Sequence, residues 1–257
     1  MSLFQHAIVR PPCASFPHGL SSANLGTPDL DLALEQHQAY CDALEKCGLT
    51  LTVLEPDARF PDSTFVEDTA VLTPRSAVLT HPGAPSRQGE VPRIGETLSH
   101  FYPTLQTILP PGTLEGGDIC QAGDHFFIGI SDRTNAAGAQ QLSEILEAEG
   151  YTTSFLDVRG GELLHLKSGI AYLGDQHLIL IDGMEKQAIF ADYEIIPVEV
   201  EEGYAANCLR VNDFVLLAAG FPKIAARLNA LGYATIILEM SEFQKMDGGL
   251  SCLSLRF

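Results

Sequence analysis

Between positions 28 and 47 the chain places Leu30, Ala33, Leu34, His37, Tyr40, Cys41 and Leu44 three or four apart, with polar residues between them and Gly48 behind. That spacing predicts an amphipathic helix with a glycine stop. The run TLTVLEPD that follows lacks the helical period and reads as a strand. A second helix is predicted over 135–150 (NAAGAQQLSEILEAEG), with Ala139, Leu142, Ile145 and Leu146 on one face, and a third over 222–232 (PKIAARLNALG).

Between the helices one pattern recurs. TFVEDTAVLTPRSAVLTHPGAPSR, LEGGDICQAGDHFFIGISDRTN, LHLKSGIAYLGDQHLILIDG and YAANCLRVNDFVLLAAGFP each read as a polar elbow, an apolar strand, a short turn and a second strand. Their starts recur every roughly 40–50 residues, the interval of propeller blades and comparable repeats. LSCLSLRF at the C-terminus opens a fifth such unit, and FQHAIVRPP near the N-terminus is an apolar strand without its first partner. Pairing these two segments closes a ring and removes an open sheet edge. The same alternation also suits an ordinary α/β protein, so the pattern alone leaves both open. No linker, low-complexity tract or shift in composition divides the 257 residues, and a single domain over 1–257 is expected.

Composition narrows the function. The formal net charge of −18 repels phosphate backbones and anionic lipid, so neither nucleic acid nor a membrane surface is expected as partner. Such acidity serves solubility, or steers a cationic small molecule into an acidic cleft. Six dispersed cysteines without a signal peptide point to the reducing cytoplasm, and no run of about 18 apolar residues marks a transmembrane span. The glycine pairs at 116–117 and 248–249 fit neither a dinucleotide nor a P-loop motif, and HExxH, CxxC and clustered histidines do not occur. No cofactor or built-in metal is therefore expected; adventitious zinc at a Cys–His pair is the one exception to test.

The elbows hold the reactive groups: Glu67 and Asp68, Glu115 and Asp118, His165, and Cys252. If the units surround an axis, groups far apart in sequence meet at its centre. Cysteine, histidine and carboxylate together make an activated thiol nucleophile with an oriented base. Taken singly, each also has an ordinary structural explanation, since free cysteine packs as a small hydrophobe and glycine pairs mark tight turns.

In sum FPDSTFVEDTAVL, PGAPSRQGE, GTLEGGDI, SDRTNAAG, LHLKSG, YAANCL and DGGLSCLSLRF, in this order along nearly the whole chain, resemble the dimethylarginine dimethylaminohydrolase family within the guanidine-modifying pentein superfamily. The resemblance implies a five-bladed α/β propeller of ββαβ-type units with pseudo-fivefold symmetry around a central site. It implies hydrolysis of asymmetric dimethylarginine and monomethylarginine to citrulline and an alkylamine through a covalent thiouronium on the cysteine. By the same resemblance Cys252 is the nucleophile, His165 the general acid and base, and Glu115 the carboxylate that orients it. Glu67 and Asp68 match guanidinium-binding positions, and Asp62 a further substrate-binding carboxylate. Arg87 and Arg133 match the positions for the α-carboxylate, while Leu20, on a loop covering the substrate, and Met246 match backbone contacts. The partner implied is a small cationic guanidine, and a homodimer is a family expectation. Arginine deiminase or another guanidine-modifying pentein is the nearest alternative; a non-catalytic propeller that binds a ligand is the alternative of another class.

Overall fold

Each apolar run of the recurring unit becomes a strand of three to six residues. A computed structural model describes residues 4–161, 163–184 and 187–257. Among these, fifteen strands form five three-stranded sheets. The first joins β1 (His6–Val9), β2 (Thr50–Val53) and the last strand, β15 (Ser254–Arg256). The second holds β3 (Ala70–Leu72), β4 (Ala77–Leu79) and β5 (Leu105–Thr107); the third, β6 (Ile119–Ala122), β7 (His125–Ile130) and β8 (Thr152–Asp157). The fourth holds β9 (Ile170–Gly174), β10 (His177–Ile181) and β11 (Glu194–Val198); the fifth, β12 (Leu209–Val211), β13 (Phe214–Ala218) and β14 (Ala234–Leu238).

All five sheets share one connectivity, in which the middle strand pairs antiparallel with one neighbour and parallel with the other. A parallel pair needs a crossover. Four crossovers carry helices: α1 (Leu30–Lys46), α2 (Val91–Leu98), α3 (Ala136–Ala148) and α4 (Pro222–Ala230). The fourth sheet's crossover carries the 3-10 turn Ala188–Phe190 among its described residues. Caps set the helix ends, the expected Gly48 stop among them. Asp29 and Asn135 accept the N–H of Leu32 and Gly138, Gly48 leaves α1 at φ +93°, and Pro222 starts α4. One position of the predicted α1 face is corrected: Leu34 is 39% exposed, and the buried stripe runs through Ala33, Gln36, His37, Tyr40, Cys41 and Leu44 instead. The short α2 was not anticipated: Val91, Ile94 and Leu98 do share one face, but the helix has only about two turns and holds Pro92 and Gly95, the poorest helix formers.

The terminal strands pair. Ala7, Ile8 and Val9 face Arg256, Leu255 and Ser254, and the N–H groups of Gln5 and His6 donate to the carbonyl of Phe257. Ile8 and Leu255 pack with Val66, Ala77, Ile94 and Leu98 in one of five apolar clusters between sheets and crossovers.

Each polar elbow folds as a 3-10 turn just before the first strand of a sheet: Val66–Thr69, Gly116–Asp118, Leu166–Ser168, Val200–Ala206 and Ser251–Leu253. The turn 251–253 packs on 66–69, which packs on 116–118, then 166–168, then 200–206. Side chains on these turns meet although they lie 50 to 184 residues apart. No helix among the described residues is long and apolar enough to cross a membrane.

Candidate active site

The turns enclose a cavity of about 210 Å³ whose wall includes Cys252, His165 and Glu115. His165 precedes the 166–168 turn and Glu115 the 116–118 turn, both with extended backbone, so their side chains reach across to one another. Nε2 of His165 lies 2.8 Å from Oε2 of the fully buried Glu115. The other oxygen of Glu115 accepts from the Ala84 N–H at 3.1 Å. Asp118 stays at the back, where its oxygens accept from the Leu166 N–H and the Ser131 hydroxyl and hold the two turns together.

The glycine pair at 116–117 has a steric cause. A Cβ on Gly116 would lie 2.0 Å from the carbonyl oxygen of Glu67, and one on Gly117 would lie 2.7 Å from Nδ1 of His165. Bare backbone here lets the turn lie against its neighbours and lets the Gly117 N–H donate to Asp68 at 2.8 Å.

Electrostatics split the groups. Burial disfavours a charge on His165, but the carboxylates of Asp68, Asp118 and Glu115 outweigh it and raise its pKa to about 9. Burial likewise works against Asp68, yet His165, Arg87 and the Gly117 N–H hold it down to about 2. The resting pair is an imidazolium facing ionised carboxylates. Cys252 goes the other way: burial first, then the charges of Glu67 and Asp68, push the thiol up to about 12. Its sulfur accepts a weak hydrogen bond from the Gly249 N–H at 3.5 Å. All six cysteines are free; five are buried, and Cys252 alone is partly exposed.

The remaining predicted residues divide. Asp62, Asp68, Arg87, Arg133, Leu20 and Met246 line the same cavity. Glu67 does not. Its carboxylate lies behind Cys252, 2.6 Å from Nζ of Lys167 and 3.1 Å from Nη2 of Arg256, and accepts from the Ser251 hydroxyl. Arg87 is buried, with its guanidinium on Asp68 (2.5 Å), on Glu90 and on the carbonyls of Asp62 and Phe65. Arg133 is more accessible and stands 3.6 Å from Glu115. At the mouth, the Leu20 N–H donates to Asp62, the Ser21 hydroxyl to the Lys245 carbonyl, and Ser22 to Asp247 through both N–H and hydroxyl. Loop 19–22 is thereby tied across the cavity to 245–247.

The donor atoms of Asp68, Glu115 and His165 lie within 4.8 Å of one another, a spacing that also suits a metal ion. Their oxygens already accept from Arg87, Gly117, His165 and Ala84, which is the chemistry of a charge-balanced hydrogen-bond network. Sequence reasoning missed the supports, namely Glu90, Lys167, Asn207, Ser251, Asp247 and Arg256. Only Asn207 had a visible signal, standing at the elbow of the one repeat without a reactive group.

Five three-stranded sheets and a cavity that joins a cysteine, a histidine and carboxylates define a mixed α/β protein with the parts of a thiol-dependent enzyme, and comparison with known proteins narrows the class. The family model described as N,N dimethylarginine dimethylhydrolase, eukaryotic, matches residues 28–211. The N(G),N(G)-dimethylarginine dimethylaminohydrolase of Pseudomonas aeruginosa is 48% identical over 256 residues, covering 99% of this chain and 100% of that one. A solved structure of the Pseudomonas aeruginosa enzyme, a cysteine-to-serine variant in complex with citrulline, superposes with a TM-score of 0.97 at 47% identity, covering all of both chains. The N-terminal domain of the cyanobacterial arginine dihydrolase ArgZ shares the fold at a TM-score of 0.89 and 19% identity, covering 99% of this chain and 97% of that one. The chain belongs to the dimethylarginine dimethylaminohydrolase family.

Proposed function

We propose that this protein hydrolyses asymmetric dimethylarginine and monomethylarginine to citrulline and dimethylamine or methylamine. The observation that carries the reading is the single cavity shared by Cys252, the His165–Glu115 pair, Asp68 and Arg133. A guanidinium bound against Asp68 brings positive charge beside Cys252 and favours the thiolate, whose proton passes to solvent. The thiolate adds to the guanidinium carbon. His165, resting as the imidazolium, protonates the alkylamine as its C–N bond breaks, which leaves a thiouronium on sulfur. Neutral His165 then takes a proton from water while the water oxygen adds to the same carbon. The C–S bond breaks, Cys252 departs as thiolate, and the added hydroxyl gives up its proton to solvent as the carbon becomes the ureido group of citrulline. Water and methylated arginine go in; citrulline and amine come out, and the cycle needs no cofactor.

The acceptors suit a cation, whose charge is positive and delocalised throughout. Asp68 faces the guanidinium directly, and Glu67 contributes its charge from behind Cys252. Asp62, with the backbones of Leu20 and Met246, receives the α-amino end, and Arg133 the α-carboxylate, for which a guanidinium fork is suited; Arg87, whose own fork is taken by Glu90, adds its positive charge from the cavity wall. The common connectivity of the five sheets and their chained turns supports a single five-bladed α/β propeller spanning 1–257, with pseudo-fivefold symmetry about this cavity. Six free thiols suit a cytoplasmic protein, and a homodimer is an expectation that rests on the family resemblance alone.

The test supplies dimethylarginine, monomethylarginine, arginine and agmatine to purified protein and follows the ureido product with the released amine. The two methylated arginines should turn over well ahead of the other two; arginine turned over equally or faster would replace this reading with a deiminase.

A further inference from the structure

We propose that Asn207 is a positioning residue, which fixes the Cys252 turn against the His165 turn. It ends the 200–206 turn, the one elbow to which no role in the reaction has been given. Asn207 is 8% exposed, and both ends of its amide are in use. Oδ1 accepts from the N–H of Ser251 at 3.0 Å, while Nδ2 donates to the Ser251 hydroxyl at 3.1 Å and to the Lys167 carbonyl at 2.9 Å. Ser251 immediately precedes Cys252, and Lys167 follows His165 by two residues. One side chain therefore joins the backbone of the nucleophile's turn to that of the acid's turn.

The amide's orientation is dictated by its partners. A carbonyl only accepts and a backbone N–H only donates, so Nδ2 must face Lys167 and Oδ1 must face Ser251. No carboxylate or aliphatic side chain of this size satisfies both. The links continue into a closed loop: the Ser251 hydroxyl donates to Glu67, and Glu67 pairs with the ammonium of the same Lys167 whose carbonyl Asn207 holds. Gly249 completes the fit. A Cβ there would lie 2.5 Å from the Asn207 amide, and it is the Gly249 N–H that faces the Cys252 sulfur. Asn207 thus packs on Gly249 and holds Ser251, both just ahead of Cys252, without lining the catalytic cavity.

This inference rests on Cys252 being the nucleophile, and its test has an arm that needs no substrate. Turnover of dimethylarginine, and alkylation of Cys252 by iodoacetamide read on its own peptide, are followed against pH for the native chain, Asn207→Ala and Asn207→Asp. We expect Asn207→Ala to lose about 10²-fold in kcat, as small displacements of reacting groups do, with KM within about threefold. Asn207→Asp is isosteric and reports even if the alanine variant does not fold. It sets a carboxylate against the Lys167 carbonyl and adds negative charge near the thiol, so alkylation at pH 9 should slow about tenfold as ionisation moves to higher pH. Folded variants that keep kcat and the native alkylation profile within about twofold overturn the proposal, since displacements of reacting groups cost far more. If the native chain ignores methylated arginines while the alkylation arm behaves as expected, the substrate reading fails and the role of Asn207 stands.

Discussion

His165 and Cys252 are the two residues whose protonation the fold sets apart, the imidazole at about 9 and the thiol at about 12. In the free protein both hold their protons at neutral pH. It follows that alkylation of Cys252 by iodoacetamide should climb steadily from pH 7 to pH 10; a plateau below about pH 9 would show a thiolate already formed. Glu115→Gln removes one charge that supports the imidazolium and the acceptor that orients it. The His165 pKa, followed by NMR, should fall toward 6.5, and kcat should fall about 10²-fold or more. An unmoved pKa with full activity would take Glu115 out of the mechanism. That Cys252, His165 and Glu115 share one cavity was legible in the sequence, because they stand at elbows of repeated units and match the family's motifs. Their partners were not. Nothing local in PSRQGE shows that Arg87 pairs with Asp68, 19 positions away, or in FVEDT that Glu67 turns from the cavity to Lys167 and Arg256.

At the scale of elements, the strands were legible because each sheet's inner strands are apolar runs bounded by turns, and three helices because their stripes and caps agree. The third-strand segments beyond TLTVLEPD carried weaker patterns, α2 was too short and too rich in proline and glycine to stand out, and the elbows gave no sign of being 3-10 turns. Those turns are where substitution is least tolerated. Gly116→Ala drives a methyl against the Glu67 carbonyl, so either the 66–69 or the 116–118 turn must move; stability should drop about 1–3 kcal/mol, the usual cost of overpacking, and turnover should fall with it. A denaturation midpoint and kcat both equal to native would contradict the tight packing of the turns. The loop across the mouth is held differently, by exposed hydrogen bonds from Ser22 to Asp247. Ser22→Ala loses the hydroxyl bond alone and should raise KM about two- to tenfold with kcat little changed, in keeping with the modest net worth of such a bond. A fall in kcat alone would assign the loop a part in the chemistry.

For the whole molecule, the pairing of β1 with β15 means that the segment carrying Cys252 is anchored by the opposite end of the chain. Ile8, fully buried against Leu255 and Ile94, should cost about 2–5 kcal/mol as Ile8→Ala, whereas the exposed Leu34→Ala should stay within about 0.5 kcal/mol. Chemical denaturation of the two variants checks both. Stability should also carry the mark of His165. Its folded pKa, about 9, exceeds the ordinary 6.5, so its contribution is complete below pH 6.5 and is lost as pH rises through 9. The urea midpoint should decline across that window, and less steeply in His165→Asn.

The proposed reaction depends on attack by the Cys252 sulfur at the guanidinium carbon. The most direct measurement is the rate at which Cys252→Ser, folded and compared with the native chain, releases citrulline and dimethylamine from dimethylarginine. The serine variant should be slower by about 10⁴-fold or more, as expected when an essential nucleophile is removed. Release within about tenfold of native, where removal of a true nucleophile costs several orders of magnitude, would contradict it.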